Sequence, residues 1–569
     1  MPYPWRTTIK QPQGNLTGLK PNQMKSLERL YRRRISPAEV VSRELARELA
    51  EISLEIRRQI GILVSRIGEV AYVVVGDESG LLIPALADYP LGKRLLRGLR
   101  LVHTHLKGEP LSVDDLTDLS LLRLDLIAAL QLTQNLDRFS IQTAALVPPN
   151  AHDLPYQVEP SLPFARYELN FHSFVETLEY ELERGRKEGS VVATGEERGI
   201  LISVTKSPLE EALDSMEELK ELARTAGVGV LDTVIQRAKE LNRRYLLGEG
   251  KIREVLIKAL QFGATMLVFD QELSPAQVRN ISELTEIKVI DRSQLILDIF
   301  ARRATTLDGK VQVELAQLKY LLPRLSGRGV QMSRLMGGIG GRGPGETKLE
   351  IDRRLIRDRI VHLERELKEL SSGRYQRRQK RVKAGIPIIS IVGYTNAGKS
   401  TLLNTLTKSA VFTEDLLFAT LDTSSRRLRV AMDREVIITD TVGFIRSLPK
   451  SLMGAFKATF EELQDADLLI HLVDCAHPRF EEQINEVDAI LAELELADKP
   501  RLLVFNKVDL LPALEKSDPM AFLKVCQLTR KFSAMSISAA DRKSLEPLLK
   551  ELQQHFWHDD EAELFPKPS

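Results

Sequence analysis

The chain has 569 residues, of which 43% are hydrophobic and 28% charged, a balance that is ordinary for a globular protein and a length that excludes one small module. Its 80 Lys and Arg against 79 Asp and Glu leave a net charge of +1, which excludes a global field for nucleic acid or membrane. The two cysteines, Cys475 and Cys526, exclude a disulfide framework and a Cys-rich zinc module.

The hydropathy of the chain predicts where the protein resides. No apolar run approaches the roughly 18 residues of a membrane span, and residues 1–34 lack the apolar core of a secretion signal. These first residues are polar and contain Pro and Gly, which predicts a loose arm. We therefore expect a cytoplasmic protein without a membrane span.

From about residue 36 to 136 the pattern predicts an N-terminal α/β domain. An amphipathic helix comes first, followed by β-like runs at Ile62–Ser65 and Val70–Val75 and by a helix after Ser112. Five prolines then fall within Val147–Pro163, with little periodicity. This composition predicts a linker.

Two short motifs in this domain resemble the H-x-H…S-x-x-D arrangement of JAMM-type metalloproteases. They are His103-Thr-His105 and Ser112-x-x-Asp115, with an interval one residue shorter than in that pattern. Two imidazoles and a carboxylate can hold zinc and leave a position for water, with an upstream acid as general base. The alternative, which we favour, is a locally hydrogen-bonded histidine pair with Ser112 capping a helix. The candidate general bases are Glu55 and Glu69.

A second α/β unit follows the linker. Apolar strand candidates alternate with helical patterns, which predicts a mainly parallel sheet. Gly248-Glu-Gly-Lys251 lacks the spacing of a phosphate loop and is predicted to be a turn and helix start. The strand candidates are Gly199–Val204, Val228–Val234, Thr265–Phe269 and Ile287–Ile290, and the helix candidates are Leu209–Ala226, Gly250–Gln261 and Pro275–Leu284.

A strongly basic segment comes next, since Ala301–Ala384 carries 21 Lys and Arg against 9 Asp and Glu. Leu315–Leu325 and Leu349–Leu370 predict two helices, joined by the Gly-rich loop Gly327–Gly345. Guanidinium groups pair with phosphates, and a Gly-rich backbone can approach folded RNA closely, so we interpret this basic hairpin as an RNA-binding arm. The alternative is a solvated pair of charged helices. The clustered basic residues are Arg324, Arg328, Arg334 and Arg342, then Arg374, Arg377, Arg378, Lys380, Arg381 and Lys383.

The last large unit begins with an apolar strand, Ile388–Val392, that leads into a G-x-x-x-x-G-K-S motif. The two glycines allow the backbone to wrap a phosphate, so that successive N–H groups and a helix N-terminus point at the anion. Lys399 would reach the β- and γ-phosphates, and the Ser400 hydroxyl would ligate Mg²⁺. The alternative is a Gly-rich turn that matches by chance. The predicted nucleotide ligands here are Gly393, Tyr394, Thr395, Asn396, Ala397, Gly398, Lys399, Ser400 and Thr401.

Two later segments predict which base is bound. Asn506-Lys-Val-Asp509 follows the apolar run Leu502–Phe505, at the carboxyl end of a parallel sheet, where open α/β folds bind ligands. Asp509 can accept both hydrogen bonds from the N1–H and 2-amino edge of guanine, which adenine lacks. Ser538-Ala-Ala540 would add a backbone N–H to guanine O6. The alternative for N-K-V-D alone is a strand-end turn. The predicted base-side ligands are Asn506, Lys507, Asp509, Ser538 and Ala539.

Two segments between these motifs predict a γ-phosphate switch. In the first, D-T-V-G, Asp440 would hold Mg²⁺ through water and the Gly443 N–H would contact the γ-phosphate. In the second, F-A-T-L-D-T from Phe418, either Thr420 or Thr423 would close on Mg²⁺ only when a γ-phosphate is present.

These five segments are similar to those of translation-factor-like GTPases. Their order, with F-A-T-L-D-T, D-T-V-G-F-I and the run M-G-G-I-G-G-R-G-P-G-E-T-K-L-E-x-D-R-R at Met336–Arg354, resembles the HflX family over about Leu182–Leu552. The resemblance implies a ribosome-associated enzyme that binds the large (50S) subunit and its rRNA, splits or rescues stalled ribosomes, and hydrolyses GTP to GDP and phosphate when that subunit stimulates it. It favours Thr420 over Thr423. The implied catalytic contacts are Lys399, Thr420 and Gly443, and the implied magnesium ligands are Ser400, Thr420 and Asp440.

Two positions bear on turnover. Phe444 stands where many related GTPases carry the Gln that orients the attacking water; a phenyl ring cannot do so, and we expect slow turnover by the protein alone. Asn396 stands where similar potassium-activated GTPases carry a cation-ligating Asn, which would make K⁺ a cofactor. The alternative is an Asn selected for tight-loop geometry.

The patterns together predict an α/β multidomain protein. Its P-loop GTPase domain has a mainly parallel sheet and is preceded by an α/β domain, a long basic helical hairpin and an N-terminal α/β extension. We expect a monomer. The alternatives are a regulatory G protein that acts on a protein or membrane partner, and a metallopeptidase-like N-terminal domain regulated by a G domain. The predicted divisions are 1–160 (arm, extension and linker), 161–310 (α/β), 311–385 (hairpin), 386–555 (GTPase) and 556–569 (tail).

Overall fold

The computed structural model describes most of the chain. Three β-sheets organise the described part, and none of its helices is both long and apolar enough to span a bilayer. The described residues are 11–84, 86, 88–91, 95–133, 139–148, 155–189, 197–325, 348–383, 385–407, 418, 424–431, 434–441, 443–445, 463–517 and 519–557.

The N-terminal domain is built on a mixed eight-stranded sheet. Its strands are β1 Gln13–Gly14, β2 Ile60–Ser65, β3 Val70–Val75, β4 Leu99–His105, β5 Leu126–Gln131, β6 Ser140–Leu146, β7 Tyr156–Val158 and β8 Leu162–Pro163, and its helices are α1 Pro21–Leu30, α2 Arg43–Ile56, α3 Val113–Leu122 and α4 Phe171–Gly189. The order is β1-β3-β2-β4-β5-β6-β7, with β8 beside β6. β2 to β5 are buried along their whole length, which explains the mainly apolar sequences of β2, β3 and β5.

The segment predicted to be a linker, Val147–Pro163, contributes to this domain instead. Its residues 149–154 lie outside the described part, but β7 and β8 both pair antiparallel with β6. Proline is tolerated in an edge strand because no ladder bond is lost there. α4 then packs on the same core through Phe171, whose ring lies 4.2 Å from the buried Arg100 guanidinium. This packing unit therefore extends beyond residue 160.

The middle domain has the parallel sheet that its alternating pattern predicts. The strands are β9 Glu197–Thr205, β10 Val228–Arg237, β11 Met266–Phe269 and β12 Lys288–Asp291, and the helices are α5 Leu209–Thr225, α6 Glu249–Gln261, α7 Pro275–Leu284 and α8 Arg292–Arg303. All pairs in the order β10-β9-β11-β12 are parallel. Gly248 is the N-cap residue of α6, which confirms the predicted turn and helix start.

Two helices form the charged segment that follows: α9 Leu307–Leu321, extended by a 3-10 turn at Leu322–Leu325, and α10 Lys348–Lys383. Leu325 and Leu363 are buried between them, and Arg359 donates to both carboxylate oxygens of Glu314 at 2.7 and 2.8 Å. The Gly-rich loop Gly327–Gly345, with Arg328, Arg334 and Arg342, lies outside the described residues, as do the basic side chains from Arg374 to Lys383.

The C-terminal domain has a six-stranded sheet with the order β14-β15-β13-β16-β17-β18. Its strands are β13 Ile388–Val392, β14 Ser424–Ala431, β15 Arg434–Asp440, β16 Leu468–Asp474, β17 Arg501–Asn506 and β18 Met535–Ser536, and its helices are α11 Lys399–Thr407, α12 Phe480–Glu493, α13 Leu511–Ser517, α14 Pro519–Lys531 and α15 Glu546–Trp557. β14 pairs antiparallel with β15, and the remaining pairs are parallel. The four predicted strands are confirmed.

The middle and C-terminal domains share one apolar core. Phe300 of α8 belongs to the same buried cluster as Phe418, Phe444 and Leu469. The Phe300 and Phe418 rings meet edge to face, with centroids 4.8 Å apart. The two domains are therefore packed against each other, and a movement of side chains in one domain would disturb the packing of the other.

Candidate nucleotide-binding site

The loop between β13 and α11 is shaped by two glycines. Gly393 and Gly398 have φ values of 152° and 93°, a region that favours glycine. A Cβ at Gly393 would lie 2.2 Å from the Leu472 carbonyl oxygen, and one at Gly398 would lie 2.4 Å from Asn506 Nδ2. Any side chain at either position would push the loop away from the sheet. Asn396 between them has φ 63°, which Asn tolerates, so loop geometry is sufficient to explain this residue.

Lys399 is the first residue of α11 and points back into the loop. Its Nζ donates to the Tyr394 carbonyl oxygen at 2.7 Å, and the side chain is buried. Burial lowers the pKa of Lys399 to about 8, while the nearby Asp440 carboxylate acts in the opposite direction. A cationic group and the amino end of a helix, whose first turn includes Thr401, thus lie side by side, an arrangement that attracts anions.

Ser400 and Asp440 place two oxygen atoms that could ligate a metal ion at the same edge of the sheet. Ser400 Oγ donates to Asp440 Oδ2 at 2.7 Å, and Asp440 is fully buried at the end of β15. The next residue, Thr441, fixes the strand end by donating to the Ile391 carbonyl oxygen at 2.6 Å. Hydroxyl and carboxylate oxygens are the ligands that Mg²⁺ prefers, so this pair fits that ion.

The D-T-V-G segment is pressed against the loop. Thr395 N donates to the Phe444 carbonyl oxygen at 2.7 Å, and Phe444 N donates to the Gly393 carbonyl oxygen at 3.1 Å. A Cβ at Gly443 would lie 2.9 Å from Lys399 Nζ, so a side chain there would displace this segment. The Phe444 ring is buried in the shared core. Thr420 and Thr423 lie outside the described residues.

Asn506 connects the loop to the base-side segments. Its Nδ2 donates to the Ala397 carbonyl oxygen at 2.7 Å, and its Oδ1 accepts from Ala539 N at 2.8 Å. Ala539 is held from the other side, because Thr405 Oγ1 donates to its carbonyl oxygen at 2.7 Å. Asn506 is therefore a bridge between three segments and, being buried, is positioned to hold them rather than to touch a base.

The residues on either side of this bridge have different environments. Lys507 has a left-handed φ of 64° and pairs with Asp474 Oδ2 at 2.7 Å. Asp509 lies in the 3-10 turn Val508–Leu510 and is exposed, which leaves its carboxylate accessible to a ligand. Ser538 N donates to Ser544 Oγ at 3.0 Å, which orders the segment after β18.

All predicted nucleotide ligands that the structure describes gather at one sheet edge. The carboxyl ends of β13, β15 and β17 meet there because these strands are parallel. Sequence reasoning missed Asp474, Thr405 and Ser544, which position predicted residues. Asp474 is the last residue of the buried strand β16, so the sequence could have predicted that it lies at the same sheet edge. No sequence pattern marks Thr405 or Ser544.

The middle domain also reaches this site, which the sequence did not indicate. Arg479 forms an ion pair with Asp214 of α5. Burial, followed by the carboxylates of Glu218 and Glu486, raises the pKa of the Tyr394 phenol above its ordinary value. Glu218 in turn pairs with the buried Arg292 at 2.9 Å. A residue of the phosphate loop thus lies against α5 through buried polar groups.

The N-terminal candidates lie in a different sheet. His103 Nε2 and His105 Nε2 are 2.8 Å apart, and Ser112 caps α3 with Asp115 as its reciprocal partner, so the predicted local hydrogen bonds and cap are present. Neither proposed general base belongs to this cluster. The helix that carries Glu55, α2, contacts β4 through Ser53 and Thr104, and Thr104 projects from the strand face opposite the two histidines. Glu55 is exposed and accepts from Gln23. Glu69 forms an ion pair with Arg34 and lies just after the end of β2, near Ser65. Ser65 pairs with Leu99, the first residue of β4, whereas His105 is the last residue of that strand.

A G-x-x-x-x-G-K-S loop on a central parallel strand, followed at the same sheet edge by D-T-V-G and N-K-V-D, defines a P-loop GTPase. Three family models match along the chain: "GTP-binding GTPase N-terminal" at residues 213–301, "GTP-binding GTPase Middle Region" at 303–381 and "50S ribosome-binding GTPase" at 388–507.

The chain belongs to the HflX family of GTPases. It is 45% identical over 377 residues to the GTPase HflX of Caldanaerobacter subterraneus subsp. tengcongensis, covering 66% of this chain and 85% of that one. Over 306 residues it is 48% identical to GTPase HflX of Escherichia coli strain K12, covering 54% and 72%. A GTP-binding protein from Sulfolobus solfataricus in complex with GDP shares 26% identity over 63% of this chain and 98% of its own, with a TM-score of 0.35.

Family membership establishes the chemistry. The protein is a GTPase that binds GTP and GDP and hydrolyses GTP. The predicted guanine nucleotide and the predicted enzyme class are confirmed.

We expect Asn506→Ala to weaken GDP and GTP binding to a similar degree. The substitution removes both bonds that join Ala397 to Ala539, and two buried hydrogen bonds together correspond to about ten- to a hundredfold in affinity. Isothermal titration calorimetry measures both dissociation constants. The matched control is Asn485→Ala on the exposed face of α12, which should leave them unchanged. An unaltered dissociation constant in the first variant would contradict the bridging role.

We expect GDP affinity to fall as the pH rises above about 8. Burial lowers the pKa of Lys399 to about 8, and a phosphate beside the ammonium would raise it. Between those two pKa values binding must take up a proton, so the dissociation constant should increase roughly tenfold per pH unit. Calorimetry at several pH values, in buffers of different ionisation enthalpy, measures both the affinity and the proton uptake. Constant affinity without proton uptake would contradict the depressed pKa.

Proposed function

We propose that this GTPase binds the large (50S) ribosomal subunit and uses GTP-dependent ordering of its switch segments to split or rescue stalled ribosomes in the cytoplasm, acting as a monomer. The observation that carries the proposal is the distribution of charge. Residues 301–384 hold 21 basic against 9 acidic residues in a chain whose net charge is +1. A concentration of basic residues in this segment of the sequence would suit the phosphate backbone of folded RNA. The "50S ribosome-binding GTPase" description of the matching family model supports the same partner.

The nucleotide would be held by the loop from Gly393 to Thr401. Lys399 would neutralise the β- and γ-phosphates, and Ser400, Asp440 and Thr420 would hold Mg²⁺, whose chemistry is to neutralise charge on the transferred phosphoryl group. The 2.7 Å contact between Ser400 Oγ and Asp440 Oδ2 supports this ligand set. The Gly443 N–H would contact the γ-phosphate, which its packing against Lys399 supports.

Turnover by the protein alone would be slow. The side chain after Gly443 is a buried phenyl ring, which offers no hydrogen bond to the attacking water. The attacking water would then be positioned by the switch backbone, by a monovalent cation such as K⁺, or by the ribosomal subunit; in the last case GTP hydrolysis would depend on ribosome binding.

The contact of Phe418 with Phe300 supports a route from the nucleotide to the rest of the molecule. Phe418 begins the F-A-T-L-D-T switch stretch, and its ring packs on α8 of the middle domain at 4.8 Å. Ordering of this stretch by a γ-phosphate would be felt by α8, and α8 contacts α9 of the hairpin. The divisions at residues 161–310, 311–385 and 386–555 would act together through this core.

The rival proposals make different demands. A regulatory G protein on a protein or membrane partner would use the same switch but needs no RNA. A metallopeptidase-like N-terminal domain needs a general base, and neither Glu55 nor Glu69 belongs to the histidine cluster; they bond to Gln23 and Arg34 instead. The ribosomal proposal is therefore the one that the charge distribution favours.

We expect Asp509→Asn to change nucleotide preference from GTP to XTP. The exposed carboxylate would lose its two hydrogen bonds from guanine, whereas an amide can pair with xanthine; the GTP dissociation constant should rise on the order of a hundredfold. Competition binding with GTP and XTP measures this exchange. Asp498→Asn, on an exposed turn, is the matched control. Retention of GTP affinity by Asp509→Asn would contradict the guanine contact.

We expect the protein to cosediment with 50S subunits when bound to a non-hydrolysable GTP analogue, and more weakly with GDP. The association should fall on the order of tenfold or more between about 50 and 200 mM salt, because released counterions oppose binding. GTP turnover, measured in the same samples, should rise when subunits are added. Equal cosedimentation with both nucleotides, or turnover indifferent to subunits, would contradict the proposal.

Two triple variants that remove the same charge distinguish a specific effect of the basic hairpin from a general effect of net charge. Replacing Arg374, Arg377 and Arg378 with Gln should weaken cosedimentation. Replacing three exposed basic residues of the N-terminal domain with Gln removes the same charge and should have little effect. The control residues are Lys25, Arg29 and Arg32.

A further inference from the structure

Three ligand-type side chains converge in the N-terminal domain, in a sheet separate from the nucleotide site. His103 and His105 are two residues apart on β4, so they project from the same face of the strand. Asp115 lies in the first turn of α3. His103 Nε2 is 3.3 Å from Asp115 Oδ1, and His105 Nε2 is 3.5 Å from Asp115 Oδ2. Both histidines are buried, and the Asp115 side chain is 14% exposed.

The neighbouring bonds orient lone pairs into this cluster. A carbonyl oxygen only accepts, so the 2.8 Å contact between His105 Nδ1 and the Glu109 carbonyl oxygen places the proton on Nδ1. With its proton on Nδ1, His105 would have the Nε2 lone pair free to bind a metal ion placed between His103 and Asp115. Second-shell bonds of this kind fix the tautomer of metal-binding histidines. The Asp115 carboxylate is fixed as well, because Oδ2 accepts from Ser112 N at 2.8 Å and from Ser112 Oγ at 2.7 Å.

The three side chains bring ligand atoms together in a buried place. Two imidazole nitrogens and a carboxylate oxygen lie within 4.8 Å of one another, and both histidines are buried. A proton shared between them or a metal ion would balance the carboxylate charge.

The spacing suits a tetrahedral metal site. Ligands at the usual Zn–N and Zn–O distances stand about 3.3 Å apart at a tetrahedral angle. His103 Nε2 is 3.3 Å from Asp115 Oδ1, which matches this edge, whereas His105 Nε2 is closest to the other carboxylate oxygen, Oδ2, at 3.5 Å. One carboxylate oxygen and the two Nε2 atoms lie within 4.8 Å of one another, and the histidine-to-histidine distance of 2.8 Å would widen by about half an ångström around an ion. Nitrogen and oxygen donors in this ratio are a zinc ligand set, with the fourth position left for water.

The position of the cluster indicates what a bound ion would do. It would join the end of β4 to the first turn of α3. α3 lies against α6 of the middle domain, and Arg123 at its end donates to the Leu260 carbonyl oxygen of that domain at 3.4 Å. An ion here would brace the interface between the two domains. Among the described residues, the possible metal-binding group consists of His103, His105 and Asp115, and the role that we infer for an ion there is structural, from its place between β4 and α3.

We propose that His103, His105 and Asp115 bind one zinc ion, which stabilises the N-terminal domain and its contact with the middle domain. The proposal is independent of the ribosomal function, since it uses no residue of the C-terminal domain.

The test begins with metal content. Full-length protein, incubated with zinc sulfate and then dialysed, should retain about one zinc per chain by plasma mass spectrometry, as expected for one three-residue site. The same protein loaded with Co²⁺ should show the visible absorption of a tetrahedral site, which a shared proton cannot produce. Occupation by iron with no retained zinc would overturn the zinc assignment, and absence of both stoichiometric zinc and the cobalt spectrum would overturn the site.

Two variants in the same helical turn make the assignment specific. Asp115→Asn should lower zinc affinity on the order of a hundredfold or more, because an amide is a poor zinc ligand. Asp114→Asn removes the same charge from the adjacent residue, whose side chain is 91% exposed, and should retain zinc. GTP turnover of both variants reports whether the C-terminal domain is folded. Equal zinc retention by the two variants would overturn the proposal, whatever the outcome of the ribosome experiments.

Discussion

The close approach of the phosphate loop to the sheet behind it is the constraint on which the nucleotide site depends. At Gly393 and Gly398 a single added carbon would collide with the Leu472 carbonyl oxygen or with the Asn506 amide. Because the loop lies so close, Asn506 can bond simultaneously to Ala397 and Ala539. The phosphate-side and base-side segments, more than a hundred residues apart in the chain, are thereby held in one geometry.

The same packing explains how a nucleotide could influence distant parts of the protein. The D-T-V-G segment and the phosphate loop are bonded through Phe444 and Thr395, and Phe444 and Phe418 both lie in the core shared with the middle domain. A packed core transmits displacement because it has few voids to absorb it. The ion pair between Arg479 and Asp214 adds a polar connection at the mouth of the site.

The N-terminal domain differs from the C-terminal domain in its sheet and in the position of its polar cluster. Its sheet is mixed and its polar cluster lies at a strand end that faces α3, whereas the nucleotide site lies where parallel strands end. Both sites use the same physical device, a helix whose first turn closes over the end of a buried strand. In one case the first turn brings Lys399 and backbone N–H groups, which suit an anion. In the other it brings Asp115, which suits a cation.

Local patterns were sufficient for much of this protein. Four buried strands of the C-terminal domain, the parallel middle sheet and the strand-loop-helix arrangement of the phosphate loop follow from runs and spacings of adjacent residues, because backbone conformation and short-range motifs are local. The Val147–Pro163 segment was misread as a linker, since proline content does not reveal that an edge strand will pair with β6. Only the tertiary packing decided that His103, His105 and Asp115 lie together without Glu55 or Glu69. It also decided that Glu218 of the middle domain lies close to Tyr394. Those contacts join residues far apart in the chain, and their energies depend on burial and distance, which no stretch of sequence contains.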